Sequence, residues 1–227
     1  MEHEPFTWFG ALGLPEKITT AGLVAGLLLV FAALVSRKLN APDAALEPED
    51  GITARNLAEG LVELISGLAE GVIGHGAQRY VPLLASFFVF ILACNLIGLV
   101  PGFSPPTSDF NVTGGLGLVA FVAYQAAGVR EHGFGYVKQF LGPVIYLWWL
   151  LPVVELFTHV FRPVSLAIRL FANMTADHQV VEIFTSLTKI GLPVAFYALG
   201  AFVCLVQAFV FTMLSAIYIA LAVSHDH

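Results

Sequence analysis

Charged residues and cysteine are scarce in this sequence. Asp, Glu, Lys and Arg make up 11% of its 227 residues and hydrophobic residues 58%, whereas soluble globular domains carry roughly 25% charged residues. This scarcity excludes a soluble domain. The net charge of −6 comes without a basic stripe, which argues against nucleic acid as a partner. The two cysteines, Cys94 and Cys204, lie in separate apolar runs and are interpreted as small buried hydrophobes, not as a disulfide or a metal site.

Long apolar runs are what the sequence does contain, and several reach the roughly 18 residues that a helix needs to cross a bilayer. We therefore predict an all-α polytopic membrane protein with about five membrane helices and an amphipathic interfacial helix. A single membrane domain is expected over residues 1–227. Its predicted parts are a first span at 18–36, an amphipathic helix at 53–80, a helical hairpin at 81–130, and channel helices at 141–227, the last two long and steeply tilted. The start lacks the basic region of a secretory signal peptide, so we expect no such signal.

The amphipathic pattern lies between residues 53 and 80. Leu57, Leu61 and Leu64 recur at helical spacing, and Glu63 and Glu70 interrupt the apolar run. Such a pattern is typical of a helix in the membrane interface. The alternative, a helix packed on other helices, explains the pattern equally well.

Basic residues predict the orientation of the chain. Arg37 and Lys38 follow the first span, and Arg130 and Lys138 follow the hairpin, whereas the loop at 101–111 has no Lys or Arg. Because cytoplasmic loops carry the excess of Lys and Arg, the N-terminus is predicted to lie outside.

Two prolines divide the C-terminal region. An apolar run at 141–161 precedes Pro163, which we expect to open a helix ending near Lys189, since proline is tolerated in a first turn. Pro193 opens the last helix, and no Asp, Glu, Lys or Arg follows until Asp226. A single helix from 193 to 224 would be about 48 Å long, against a hydrocarbon core of roughly 30 Å. It must therefore tilt steeply, kink or lie along the membrane.

Arg169 lies inside the apolar helix that follows Pro163. A guanidinium stays charged at any biological pH, and an arginine in hydrocarbon costs about 2.5–3.5 kcal/mol on insertion scales. No carboxylate lies three or four residues from Arg169 on either side, and none occurs in the final helix. The charge is thus under-compensated within this chain, which a carboxylate from a separate subunit would explain.

Four further polar side chains follow Arg169 on its helix. Asn173 and Asp177 come four and eight residues later, near the same face, whereas His178 and Glu182 lie on the opposite face. Ionisable residues within membrane spans are candidate functional groups by default. The alternatives are an interfacial pair between Glu182 and His178, and a loose salt bridge from Asp177 to Arg169.

Polar residues also occur on the neighbouring segments. Glu155 and His159 are i, i+4 neighbours before Pro163, and Gln207 is the strongly polar side chain within the charge-free run of the last helix. The alternatives here are that Glu155 and His159 satisfy each other inside a bundle, and that Gln207 only makes an interhelical hydrogen bond.

Three sequence blocks carry a family resemblance. The run Pro163-Val-Ser-Leu-Ala-Ile-Arg-Leu-Phe-Ala-Asn-Met-Thr-Ala resembles the signature of subunit a of the F-type ATP synthase membrane sector. Gln207-Ala-Phe-Val-Phe-Thr, with the Ile-Tyr that follows, is similar to its C-terminal motif. Asn95-Leu-Ile-Gly-Leu-Val-Pro with Asp109-Phe-Asn-Val-Thr is similar to its second block. The blocks occur in the family's order and cover most of residues 80–222.

The resemblance implies a non-catalytic stator subunit beside a rotating ring of c subunits, which couples proton flow through two offset half-channels to rotation. The ring's carboxylates would be the partners of Arg169, and b-type peripheral stalk subunits and membrane lipid would be further partners. Asn173 and Gln207 resemble the family's polar neighbours of the arginine. The candidate half-channel groups are His178, Glu155, Glu182, Asp177 and His159.

Two positions depart from the family pattern. Where the family has His at the position of His178, its last helix usually bears Glu seven residues before the glutamine, and here that residue is Gly200. Asp177 stands where a glycine is usual. We hypothesise that Glu182 or Asp177 supplies the acid otherwise missing near His178.

A stand-alone proton- or sodium-coupled secondary transporter is the alternative function. Such transporters also use intramembrane charges, but they typically show internal repeats, and this sequence has no convincing repeat. An enzyme is not expected, nor is a cofactor or metal, because no nucleophile–base pair or metal-ligand cluster is present. The start His3-Glu-Pro-Phe-Thr-Trp resembles bacterial forms, so a bacterial inner membrane is the expected location and a mitochondrial inner membrane the second choice.

Overall fold

The computed structural model describes residues 15–39, 54–74, 76–100, 102–133, 151–188 and 191–224. These residues form six α-helices and two short 3-10 turns at 77–79 and 106–108, without any strand among them. The helices are α1 (Glu16–Leu39), α2 (Ala54–Ile73), α3 (Val81–Ile97), α4 (Phe110–His132), α5 (Leu151–Leu187) and α6 (Leu192–Val223). The predictions that fall on residues 1–14, 40–53 and 134–150 lie outside this description.

Three of the described helices, α1, α4 and α6, are long and apolar enough to cross a membrane. Helix α3 is equally apolar but has only 17 residues. The 37 residues of α5 and the 32 of α6 correspond to lengths of about 55 and 48 Å, against a hydrocarbon core of roughly 30 Å. The prediction of an all-α polytopic membrane protein is confirmed.

The hydrophobic core lies where α2 to α6 meet. Its largest fully buried apolar side chains come from five helices and include Ile65, Leu84, Ile91, Tyr124, Leu170 and Ile219. Helix α2 contacts α3 and α6 and buries Ile65 and Ala69, which supports the alternative in which it packs on other helices. Helix α1 instead leaves most of its leucines exposed, as a helix facing lipid does.

The expectation that Pro163 opens a helix is wrong. Pro163 lies inside α5, which continues from Leu151 to Leu187. A proline inside a helix leaves the carbonyl four residues earlier, here that of His159, without its helical N–H donor. The hydroxyl of Tyr124 on α4 donates to this carbonyl at 3.1 Å. Neighbouring helices can satisfy backbone groups that a proline frees within a membrane, and Tyr124 does so here.

Helix α4 also comes very close to α5 at this proline. A Cβ atom on Gly117 would lie 2.7 Å from the carbonyl oxygen of Pro163. Only a residue without a side chain permits this approach. Gly117 and Tyr124 are two turns apart on α4. Gly117 lets α4 approach Pro163 closely, and Tyr124 supplies the hydrogen bond that the proline removes, so both residues help to position α5 against α4.

Candidate functional site

Arg169 lies on an exposed part of α5, one residue after Ile168, whose side chain is also exposed. Among the described residues its guanidinium makes no hydrogen bond and no ion pair, and the ion pair that these residues do contain joins Arg55 to Glu59. The salt bridge to Asp177 considered as an alternative does not form. The structure thus leaves Arg169 turned outward and without a counter-charge from the described part of its own chain.

Asn173 and Gln207 are half-buried on α5 and α6. Neither side-chain amide hydrogen-bonds to another described residue. The interhelical hydrogen bond that was the alternative explanation of Gln207 is therefore not made within the described part of the chain. Both amides retain their full capacity to bind water or a partner.

A cavity of about 340 Å³ lies at the C-terminal half of α5. Three titratable side chains from α5 line it, those of Asp177, His178 and Glu182. Cys204 and Tyr197 of α6 line the opposite wall. The sequence had assigned Asp177 to the side of Arg169, and the structure corrects this. Asp177 is rotated by about 80° from Arg169 and about 100° from His178, so it lies between the two directions and reaches the cavity.

These cavity residues form no ion pair with one another, so the Glu182–His178 pair considered as an alternative is not made. Glu182 is exposed, whereas Asp177 and His178 are half-buried. Two carboxylates and an imidazole thus line one space large enough for several water molecules. Side chains of this kind can relay protons through water.

Gly200 and Asp177 face each other across the two helices. A Cβ atom on Gly200 would lie 2.9 Å from the Asp177 carboxylate oxygen Oδ2 and 3.2 Å from Cδ2 of Leu99. The space beside the absent side chain of Gly200 is therefore occupied by the carboxylate of Asp177. A side chain at position 200 would project into the space that the Asp177 carboxylate occupies.

A second opening, which we call the groove, lies at the N-terminal half of α5 and has a volume of about 530 Å³. Its polar side chains are those of Thr158, Arg162, Ser165 and Tyr218. The guanidinium carbon of Arg162 lies 5.4 Å from the centroid of the Tyr218 ring on α6, within the range of a cation–π interaction. The described lining of the groove contains no carboxylate.

His159 lies apart from both openings. It is 7% exposed, and its ring centroid is 6.0 Å from that of Tyr124 on α4. It is therefore packed between α4 and α5. The side chain of Glu155, its sequence neighbour at i−4, lies outside the described part of the chain, so the pairing of these two residues stays a prediction.

Sequence reasoning missed several residues of the two openings. Arg162 and Ser165 precede Arg169 by seven and four residues, and helical periodicity alone would have placed them near its face. Cys204 and Tyr197 carried no comparable signal. Their position in the cavity depends on how α5 and α6 pack, which sequence spacing does not contain.

The chain matches the family model described as ATP synthase A chain over residues 18–220. It belongs to the ATP synthase A chain family. The protein is 43% identical to ATP synthase subunit a of Bdellovibrio bacteriovorus over 211 residues, which cover 92% of each chain. It is 40% identical to ATP synthase subunit a 1 of Syntrophotalea carbinolica over 218 residues, 95% of this chain and 88% of the relative. The match to the ATP synthase A chain family includes every described residue of the cavity, of the groove and of the helix face that carries Arg169.

Proposed function

We propose that this chain is the non-catalytic stator subunit of an ATP synthase membrane sector, where it conducts protons through two half-channels and couples their flow to a rotating c-ring. Its membership of the ATP synthase A chain family supports this function over a stand-alone secondary transporter. The observation that carries the mechanism is the position of Arg169, which is exposed between two polar openings on one helix and has no counter-charge among the described residues.

The openings are offset along α5. The groove includes residues up to Ser165, and the cavity begins at Met174. Eight residues of helix lie between them, and the nine helical steps from Ser165 to Met174 correspond to about 13.5 Å along the axis. Arg169 lies in this interval. A proton crossing the membrane would enter one opening, bind a carboxylate of the c-ring, and leave through the other only after the ring has turned.

Arg169 supplies the electrostatic part of this cycle. In a low dielectric, a fixed positive charge attracts an ionised carboxylate strongly and repels a proton. A ring carboxylate that passes Arg169 is therefore favoured in its ionised form, which releases its proton to one half-channel. The same charge opposes direct proton transfer between the two openings. Asn173 and Gln207, with unsatisfied amides, would hold water or the passing carboxylate near Arg169.

The cavity supplies the proton-relaying groups of one half-channel. Asp177, His178 and Glu182 line it together, and Asp177 fills the space beside Gly200. This contact supports Asp177 as the acid that replaces one on the last helix, with Glu182 as a second carboxylate at a more exposed position. Glu155 and His159 remain candidates for the other end of the pathway.

The predicted orientation places this cavity toward the outside. Glu16 and Lys17, at the start of α1, hydrogen-bond to the segment between α3 and α4, so both lie on one side of the membrane. That is the side predicted to be external, because its loop lacks Lys and Arg. We place the chain in a bacterial inner membrane with its N-terminus outside, bound to c subunits, to a b-type peripheral stalk and to lipid.

The test compares the wild-type ATP synthase complex with the Arg169→Ala variant in membrane vesicles. We expect loss of ATP-driven proton pumping, together with a passive proton leak that persists or grows, because the charge barrier between the openings is removed. The Arg79→Ala variant, which removes an exposed arginine from the turn before α3, should pump normally. Unchanged coupling in Arg169→Ala would reject the rotary mechanism for this chain.

A further inference from the structure

Residues 98–100 and 102–108, between α3 and α4, lie over the cavity, and we call them the cover. Its first half supplies a wall of the cavity, with Leu99 and Phe103 among the lining residues. The two arms of the cover touch each other tightly. A Cβ atom on Gly98 would lie 2.5 Å from Cβ of Pro105. The two described arms of the cover therefore pack on each other and line the cavity together with Asp177 and His178.

Two side chains at the start of α1 hold the outer part of the cover. The Glu16 carboxylate oxygen Oε1 accepts a hydrogen bond from the backbone N–H of Ser104 at 3.2 Å. The ammonium group of Lys17 donates to the carbonyl oxygen of Ser108 at 3.1 Å. Both side chains are half-buried, and hydrogen bonds that involve a charged group are stronger than neutral ones.

A buried contact holds the inner part. The hydroxyl of Thr107 donates to the side-chain oxygen of Asn95 at 2.6 Å, and the Asn95 amide donates to the carbonyl oxygen of Cys204 at 3.4 Å. Thr107 is fully buried and Asn95 is 1% exposed. The cover is thus fixed from within to Asn95 of α3, which itself bonds to α6, and from outside to α1.

We propose that Glu16 and Lys17 are positioning residues that, through the cover, set how water and protons reach Asp177, His178 and Glu182. This inference rests on the proposed function, since it assigns the external access of that cavity. Helix α1 contacts α3, α4 and the 106–108 turn of the cover. Its charged first turn acts on the cavity through the cover and touches none of the relaying groups.

The two native cysteines allow a direct test. Cys204 lines the cavity with only 1% of its surface exposed, whereas Cys94, completely buried, is absent from the described lining. In the intact ATP synthase complex in vesicles, the rate at which a water-soluble methanethiosulfonate reagent modifies Cys204 reports access to the cavity. The rate at Cys94 reports general loosening of the helices. Mass spectrometry of peptides from both cysteines measures the two rates in one sample.

We expect the Glu16→Ala/Lys17→Ala variant to change the rate at Cys204 by at least about tenfold, the effect of losing one charge-assisted hydrogen bond, with Cys94 unaffected. Thr107→Val should do the same, and Thr107→Ser should restore the wild-type rate. Glu16→Gln and Lys17→Arg keep an acceptor and a donor, so they should behave as wild type. Thr19→Ala is the control on the same helical turn, because the Thr19 hydroxyl donates to the backbone carbonyl of Pro15, at the start of α1, and not to the cover.

An unchanged rate at Cys204 in Glu16→Ala/Lys17→Ala would overturn the inference, as would a parallel rise at Cys94. A different result would reject the proposed function without rejecting the role of the cover. If Arg169→Ala retained coupled pumping while the Cys204 rate still depended on Glu16 and Lys17, the rotary mechanism would be rejected and the role of the cover would stand. ATP-driven proton uptake, measured in the same vesicles, should change in the order of the Cys204 rates.

Discussion

The cavity and the groove lie at opposite halves of α5 and are lined by side chains of opposite charge. The cavity presents two carboxylates and a histidine beneath a cover that is hydrogen-bonded to α1 and α3. The groove is more open and presents one arginine, a tyrosine and two hydroxyls, with no acid in its described lining. Groups that can bind and release a proton are thus concentrated on one side of Arg169, and a permanent cation on the other.

This difference in charge indicates which opening takes up protons and which opening releases them. Carboxylates and imidazole hold protons transiently, so the cavity suits collection of protons from water and delivery toward Arg169. A fixed cation beside a channel repels protons and assists their departure once a carboxylate has released them. The two half-channels would then be specialised by the sign of their charge, and variants at each side should have effects of different size.

The largest effect is expected from removing both cavity carboxylates. The Asp177→Asn/Glu182→Gln variant should lower proton flux by roughly 100-fold or more, because a positioned proton-transfer group contributes that much. Passive flux through the membrane sector of vesicles measures it, with Glu63→Gln on the exposed face of α2 as the control. If Asp177→Asn and Glu182→Gln each left flux unchanged, neither would supply the acid missing near His178.

A steric change at Gly200 should have the next largest effect. The Cβ atom of Gly200→Val would meet the Asp177 carboxylate at 2.9 Å, so the carboxylate must move. Proton flux should then fall about tenfold, which corresponds to an activation barrier about 1.4 kcal/mol higher. Gly22→Val on α1, where a Cβ meets nothing within 4 Å, is the matched control. In an Asp177→Ala background the valine should cost less thermal stability, and equal costs in both backgrounds would exclude the contact.

A smaller effect is expected at the groove. Arg162→Gln removes both the charge and the contact with Tyr218, so proton release should slow by roughly two- to fivefold, matching a cation–π interaction of about 0.5–1 kcal/mol. Arg162→Lys keeps the charge and should slow it less. An Arg162→Gln effect as large as that of the cavity double variant would contradict the specialisation of the two sides.

The smallest effect on transport is expected at Tyr124. Tyr124→Phe should lower stability by about 1 kcal/mol, since it leaves the carbonyl of His159 without this donor, while proton flux stays near wild type. Thermal unfolding in detergent measures the loss. Pro163→Ala restores the helical N–H for that carbonyl, so the tyrosine substitution should become nearly neutral in its presence. An unchanged cost in that background would mean that the hydroxyl acts elsewhere.

The sequence predicted the helices well, because apolar runs report burial in lipid directly. The last helix was expected from 193 to 224 and runs from Leu192 to Val223. The division at Pro163 was wrong for a tertiary reason. The proline does remove a helical hydrogen bond, as its chemistry requires, but a tyrosine 39 positions earlier in the chain replaces it. No local pattern contains that partner.

The candidate site was predictable in its residue types and less so in its geometry. Arg169 stood out because an unpaired charge in an apolar helix has a large free-energy cost. The grouping of Asp177 with His178 and Glu182 depended on which side of α5 meets α6, and the contact of Asp177 with Gly200 depended on the register of two helices. Both quantities are set by packing, which residue spacing within one helix does not determine.

The exposed charge of Arg169 links proton release to the stability of the subunit in its complex. If this guanidinium stabilises an ionised carboxylate on a partner, thermodynamic reciprocity requires the carboxylate to stabilise the guanidinium by the same free energy. The subunit in the bilayer is then less stable alone than in its complex, because partner binding shifts the folding equilibrium toward the bound form. Under the proposed function, the interaction that discharges protons would also hold the assembly together, so a substitution that weakens one would weaken the other.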